Sequence, residues 1–349
     1  MWSRRAWLAA GSAFAGSMVA AGAFGQAPDG EGRTRSRVVI AVEDPRAFCY
    51  LPLTVAMRLG YFAAQGLDVQ WRETADPDQA SQLLLSGAAQ AMSVPYSAAI
   101  ALHARGHRVQ SIVLQGRAPQ LVLGVSTRTL GHFRDWRDLR GRRVAIPAPG
   151  SGPHRMTRLL LARSGIQSAQ EVQFVALPDH ADAARAFRSG TVDALCHTDP
   201  LMTKLEQEGG LRVVADTRTP RGSDEVFGGP MPAGCLCVSE EFARTQPGIC
   251  QALVDAMVLA LKWLQTAGPS DIIKVVPEPY FRGDRALYLA AFARAREAWT
   301  PDGLMPQRGP LVAARVMAQF DDSGLLQRVP LERTYTNELA LRAKQRFRA

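Results

Sequence analysis

The run Gly150-Ser151-Gly152-Pro153-His154 sets a glycine-rich turn directly before an apolar-patterned segment that reads as a helix to Ser164. The start of a helix carries backbone N–H groups with no partner inside the helix. The aligned peptide dipoles add partial positive charge at the same end. A carboxylate or sulfonate suits such a position. Ser151 and His154 would add side-chain donors beside the backbone of Gly152. An ordinary helix cap is the alternative reading of the same residues.

Other side chains with binding chemistry fall at the ends of β-rich runs. Asp44 and Asp199 are read as acceptors for an amine or a ring N–H, or as turn residues. Arg117 is read as an anion partner or a solvated loop arginine. His197 and Thr198 sit beside Asp199, and Ser93 and Pro95 end the corresponding run one repeat earlier. Phe48, Tyr50, Tyr96 and Phe227 could wall a pocket with apolar ring faces. Bond-making chemistry has no such support: Gly-x-Ser-x-Gly, His-Glu-x-x-His, Ser-x-x-Lys and the phosphate-binding Walker loop are all missing. Five cysteines lack the paired spacing of a zinc site, so neither metal nor cofactor is expected. Cys235 and Cys237 would share one face of a strand and read as core packing. One disulfide is compatible with an exported chain, but the pair is not fixed by spacing.

These residues need a scaffold, and a repeat supplies its outline. Val69-Gln70 and Ser86-Gly87 recur as Val172-Gln173 and Ser189-Gly190, followed by Gln90-Ala91-Met92-Ser93 and Asp193-Ala194-Leu195-Cys196. A strand–helix–strand unit repeated about a hundred residues on implies two similar lobes. Short β-rich runs alternate with helical ones from Arg37 to Ala215, which predicts largely parallel sheets flanked by helices. Cys235 to Val238 reads as a strand returning to the first lobe. From Glu240 the pattern is helical. Ile249 to Leu264 is apolar but broken by Asp255 and Lys262, so it reads as a packed amphipathic helix and not a membrane span.

The N-terminus has the layout of an export signal. Arg4 and Arg5 precede a weakly apolar run to Phe24, with small residues at Ala23 and Gly25. The arginine pair is similar to a twin-arginine signal, with Trp7 at its usual Phe position. Ala9 replaces a usual Lys, which leaves the general secretion route open. Cleavage near Gly25 would leave a polar leader over 26–36. Formal charge is +9 for the 349 residues and falls to +7 once Arg4 and Arg5 are removed. The arginines are scattered over helix faces, and no basic–aromatic interleaving points to nucleic acid.

Three ordered segments carry a family resemblance. The first is Ala56-Met57-Arg58-Leu59-Gly60-Tyr61-Phe62-Ala63-Ala64-Gln65-Gly66-Leu67-Asp68-Val69. The second is Asp138-Leu139-Arg140-Gly141-Arg142-Arg143-Val144-Ala145. The third is Gly190-Thr191-Val192-Asp193-Ala194. Together the chain resembles the extracytoplasmic solute-binding proteins of the nitrate/sulfonate/taurine and pyrimidine-precursor group, which serve ABC importers. The resemblance implies a two-lobed α/β fold of the type II periplasmic-binding-protein kind, each lobe a mostly parallel sheet, with a hinge of two crossover strands. It implies lobe I over 37–127 and 235–349, with a helical C-terminal tail, and lobe II over 128–234. It further implies a monomer that holds a small organic, anionic solute between the lobes in the periplasm and hands it to a permease. The alternatives are an exported or pyrimidine-precursor enzyme on the same fold and a sensor subunit. The chain departs from the pattern at Gln90, where Asp is frequent, and over Cys196 to Pro200, which lacks an aromatic. Both departures are read as bearing on ligand choice.

Overall fold

A computed structural model describes residues 35–166, 171–321 and 323–349. The predicted signal over 1–25 and most of the leader lie outside the described residues. Numbered along the chain, the strands are β1 (Ser36–Val42), β2 (Leu67–Glu73), β3 (Ala91–Pro95), β4 (Val109–Leu114) and β5 (Leu121–Ser126). They continue with β6 (Arg143–Ile146), β7 (Gln173–Ala176), β8 (Ala194–Thr198), β9 (Leu211–Asp216) and β10 (Gly234–Ser239). They form two five-stranded sheets, β2-β1-β3-β10-β4 and β7-β6-β8-β5-β9.

The two orders are one topology used twice. β1 pairs in parallel with β2 and β3, as β6 does with β7 and β8. The fourth place in each sheet belongs to an antiparallel strand, β10 in the first and β5 in the second. Each of these strands is reached from the other sheet. The sequence boundary at residue 127 therefore moves: β5 belongs to the second sheet, and the first crossover is 115–120. The second crossover is 217–233. The apolar runs with period two bury both faces of the first sheet. Val38, Ile40 and Val42 face one core, while Ala41 joins Met92 and Val94 in another. Gly124 is fixed by close approach, since a Cβ there would stand 2.6 Å from the Leu211 side chain.

The helix Pro247–Thr266 forms the spine of the first sheet's larger core. Leu253, Val254, Met257, Val258, Leu261 and Leu264 are all fully buried on it. Each such side chain stabilises the fold by about 1.5–3 kcal/mol. Its polar interruptions are satisfied by the C-terminal helix Glu338–Phe347: Arg346 donates to Asp255 Oδ2 at 2.7 Å and Lys262 donates to the Phe347 carbonyl at 2.6 Å. The helical tail is not confined to the first sheet. In the helix Gly309–Ala318, Ala313 packs with Val94 and Tyr96, whereas Val312 and Val316 pack with Leu121, Leu123 and Met156 of the second. Helix Pro220–Phe227, N-capped by Thr219, was not expected from the sequence. All five cysteines are free thiols, so no disulfide forms among them. Cys235 and Cys237 are buried with their Sγ atoms 3.4 Å apart, as core packing on one strand face requires.

Candidate functional site

Both crossovers run between the same ends of the two sheets. β4 ends at Leu114 and β9 at Asp216, and the chain passes from there to the starts of β5 and β10. The carboxyl ends of β1, β3, β6 and β8 point to the same region, where open α/β sheets place ligands. The two passages are tied to each other. Gln115 N–H and Gly116 N–H donate to the Gly234 carbonyl at 2.7 and 3.1 Å, and Gln120 N–H donates to the Thr217 carbonyl at 3.1 Å. Such a pair of adjacent strands has the form of a hinge.

The glycine-rich loop is built as read, but its donors are largely spent on itself. Ser151 is the N-cap of the helix Gly152–Arg163, accepting from His154 N–H at 3.4 Å and donating to the Ala148 carbonyl at 2.7 Å. His154 Nδ1 accepts from Gly150 N–H at 2.9 Å, and its ring meets Phe174 edge-on. Burial, with Arg158 and Arg155 nearby, lowers the His154 pKa, so the ring is neutral near pH 7. Gly152 is exposed at the helix start.

The four aromatic residues expected as pocket walls are core residues. Phe48 stacks on Tyr288 with ring centroids 4.7 Å apart, and its carbonyl accepts from Trp299 Nε1–H at 2.8 Å. Tyr50 is buried and donates to Glu43 at 2.6 Å. Tyr96 is fully buried and its hydroxyl bonds Thr334. Phe227 lies in the core beside Met156. Large ring areas at strand ends are drawn into the nearest apolar layer, and residue type alone does not reveal this.

The polar residues divide by how their groups are used. Asp44 forms an exposed ion pair with Arg46 at 3.0 Å. Arg117 donates to the Glu297 carbonyl at 3.0 Å. Asp199 is not a free acceptor: its Oδ1 accepts from Thr203 N–H at 2.8 Å and its Oδ2 from Arg218 at 3.4 Å. Pro95 caps the helix Tyr96–Ala104, and Thr198 ends β8. Ser93 is fully buried and accepts from Gln115 Nε2 at 2.8 Å, which leaves Gln115 Oε1 buried without a partner. His197 is 3% exposed; its Nδ1 accepts from Thr198 N–H at 2.9 Å, and the ring also meets the Leu177 backbone.

Two residues of this region were not anticipated. His180, first in the helix His180–Ser189, meets His197 edge-on with ring centroids 4.6 Å apart. Burial, then the other ring and Arg282, lowers its pKa to about 3, and burial lowers that of His197 to about 4. Both are neutral at ordinary pH. His180 follows β7 and could have been found by the strand-end rule that singled out the other residues. Gln120 is 3% exposed, has φ of 61°, and has neither side-chain amide atom hydrogen-bonded. A left-handed conformation in a residue other than glycine costs about 1–3 kcal/mol and marks functional segments more often than others. No sequence pattern discloses it.

Gln90 lies elsewhere. Its Oε1 accepts from Val39 N–H at 2.9 Å, just as Asp193 Oδ2 accepts from Arg143 N–H at 3.0 Å at the equivalent place in the second sheet. Both tie the start of a central strand pair, at the end opposite the crossovers. The Gln-for-Asp departure therefore concerns sheet assembly and not ligand choice. Two surface cavities, of about 480 and 310 Å³, also lie away from the strand tips. The larger is lined by Gly248, Gln251, Arg342 and Arg346, the smaller by Arg128, Arg188 and Glu208.

Two like sheets exchanging one strand each, with polar groups gathered where the crossovers meet, define the architecture of solute-binding proteins. The chain belongs to the NMT1-like family, whose model matches residues 46–276. Among individual relatives, it is 23% identical over 338 residues to YtlA of Bacillus subtilis (strain 168), which carries a provisional binding-protein description; 96% of this chain and 97% of YtlA are covered. It is 37% identical to a chain of known structure from Bordetella bronchiseptica RB50, with a TM-score of 0.81 over 90% of this chain and 99% of that one. The periplasmic aliphatic sulphonate binding protein SsuA of Escherichia coli shares the fold at 18% identity, with a TM-score of 0.69 over 88% of this chain and 99% of SsuA. Its named relatives are binding proteins and not enzymes.

Proposed function

We propose that this chain is the extracytoplasmic solute-binding component of an ABC importer, closing its two lobes on a small organic anion and delivering it to a membrane permease. The observation that carries the reading is the pair of hydrogen-bonded crossovers joining both sheets at the ends where Ser93, Gln115, Gln120, His180 and His197 collect. Buried polar groups of this kind are costly unless something completes them. The anionic preference is supported by the net positive charge, the exposed helix start at Gly152, and Arg282, whose charge acts on both His180 and His197. A sulfonate, the class in the SsuA name, is a first candidate for the anionic group of the solute. Export by the N-terminal signal, cleavage near Gly25, a periplasmic site of action and a monomeric state complete the reading.

In this form the lobes are drawn together. Arg294, on helix Arg285–Ala295 of the tail, pairs with Glu206 on helix Leu201–Gln207 of the second sheet. Ligand release requires such contacts to part as the crossovers bend. Native mass spectrometry of the protein purified from its own periplasm tests the proposal. A retained solute that exchanges with added free solute, unchanged in mass, is the expected result. Absence of any bound solute, together with no thermal shift from a library of sulfonates and carboxylates, would refute it.

A further inference from the structure

We infer that Gln120, with the His180–His197 pair, is the specificity element of the site, and that it reads an amide-type edge on the solute, an N–H beside a C=O, and not a bare oxyanion. The inference rests on the solute-binding reading above and adds the ligand class.

The placement comes from the sheet register. Val122 on β5 lies opposite His197 on β8, and Leu121 lies opposite Thr198. Gln120 immediately precedes β5, and its N–H donates to the Thr217 carbonyl, so its backbone stands at the strand tip where Leu121 pairs with Thr198, next to His197. His180 packs its ring against His197 from the helix that follows β7. Three polar residues from three separate segments thus stand at the tip where the first crossover enters the second sheet. The Gln120 side-chain amide and the His180 Nδ1 are buried without a partner, and the His197 ring meets the Leu177 backbone as well as Thr198.

The hydrogen-bonding inventory sets the ligand class. His197 Nδ1 accepts from the Thr198 amide, so the neutral ring carries its proton on Nε2, a donor that the Leu177 backbone shares. The Gln120 Nε2 offers two more donors, and its Oε1 offers only an acceptor. Nitrate, a sulfonate or a simple carboxylate brings acceptors alone. It would answer the donors and leave Gln120 Oε1 buried and facing another oxygen. An N–H beside a C=O answers both atoms of the Gln120 amide and leaves a further acceptor for His197. The left-handed φ of Gln120 supports a role beyond packing, because strain of this kind persists where the surroundings hold a residue in place. An acidic group elsewhere on the same solute remains compatible with the charge of Arg282.

The test uses the full mature protein and four probes by isothermal calorimetry. 5-Oxoproline carries a lactam edge and a carboxylate; cyclopentanecarboxylate has a matching ring and carboxylate without the edge; methanesulfonate and nitrate are acceptor-only anions. The expected result is that 5-oxoproline binds roughly ten- to hundred-fold more tightly than cyclopentanecarboxylate. Gln120→Leu should erase that difference. Gln120→Glu, which keeps the shape but exchanges the donor for an acceptor, should erase it as well and covers the case in which the leucine variant does not fold. Equal binding of the two ring acids, tighter binding of methanesulfonate or nitrate, or indifference to both substitutions would overturn the inference while leaving the solute-binding reading intact. If no probe binds, the solute carried by the purified protein decides. One without an N–H/C=O edge overturns the inference, one with that edge and lost from Gln120→Glu supports it, and a protein that carries nothing and shows no thermal shift with the sulfonate and carboxylate library overturns the solute-binding reading with it.

Discussion

Arg218 is the residue whose removal should cost the fold most for a single polar side chain. Its guanidinium is 4% exposed and meets three carboxylates: Asp216 at 2.6 Å, Glu206 at 2.8 Å and Asp199 at 3.4 Å. Burial works against its charge, and Asp216 and Asp199 overcome this, so it titrates above its ordinary value. Arg218→Met fills the same space but leaves the Asp199 side chain, 2% exposed, with no counter-charge and only the Thr203 amide as donor. A buried charge stripped of its partner costs about 3–5 kcal/mol. For a chain of this size, that corresponds to a fall in Tm of roughly 4–8 °C. Asp199→Asn keeps an acceptor for Thr203, and Arg218 keeps Asp216 and Glu206, so about 1–2 kcal/mol is expected. The double variant should fall well short of the sum of the two, because one interaction is being removed twice. Urea unfolding of the four proteins at pH 7.5 measures this cycle. A loss under about 1 kcal/mol for Arg218→Met, or an additive double variant, would refute the network. An Asp199→Asn protein of unchanged stability that fails to bind solute would instead return Asp199 to the role of ligand acceptor expected from the sequence.

Two further outcomes follow from the same geometry. His197 is held neutral with its pKa lowered to about 4, against about 6.5 in the unfolded chain, so the unfolded state takes up the proton first as pH falls. Its contribution is fully present above about pH 6.5 and is lost as pH drops toward 4; between pH 7.5 and 5 the loss is about 2 kcal/mol, and urea melts at those two pH values should show His197→Phe losing correspondingly less than the parent. Asp193→Ala removes a carboxylate that accepts from Arg143 N–H at 3.0 Å and from its Nε and Nη2 at 3.2 Å each, so stability should fall by about 2–3 kcal/mol, while Gln90→Ala should cost about 1 kcal/mol. Solute affinity by calorimetry should stay within about twofold of the parent in both cases, because both residues lie at the far end of their sheets; a tenfold loss in either would move that position into the site.

The fold was legible because its signals are local and repeated. The Val-Gln to Ser-Gly spacing marked β2 to β3 and β7 to β8, and the two strand orders show why: each copy builds the same half-sheet. Val109–Leu114, Leu121–Ser126 and Pro77–Leu85 have the bounds that their apolar runs and flanking breakers suggest. Assigning β5 to the first lobe was a different kind of error. Its residues are as apolar as those of β4, and nothing within a strand says which sheet it will join. That choice is made by the antiparallel register with β8 and β9, which pairs residues 69 or more positions apart. Helix Pro220–Phe227 was missed because Arg221, Gly222, Ser223 and Asp224 look like a loop. Its helical signal is confined to the Thr219 cap, Pro220 at the first turn and two buried positions, Val226 and Phe227.

The site was legible in place but not in use. Strand ends named segments that the fold does bring to the crossover end of the sheets, since Ser93, Ser151, His197 and Asp199 all stand at tips. What each polar group does there depends on partners that spacing cannot reveal. Asp199 and His197 are two residues apart on one strand end and look equally available in the sequence. Asp199 is consumed by Thr203 and Arg218, whereas the His197 ring meets backbone only, at Thr198 and Leu177, and packs on His180. The aromatic residues differ for another reason: their rings are buried in the cores, where their area stabilises the fold most. Gln120 had neither charge nor ring to attract notice, yet it combines burial, a left-handed backbone and an unpaired amide. In a binding protein that makes no bonds, selectivity resides in which buried polar atoms a solute completes. The residues that decide it are therefore those whose partners the fold itself withholds.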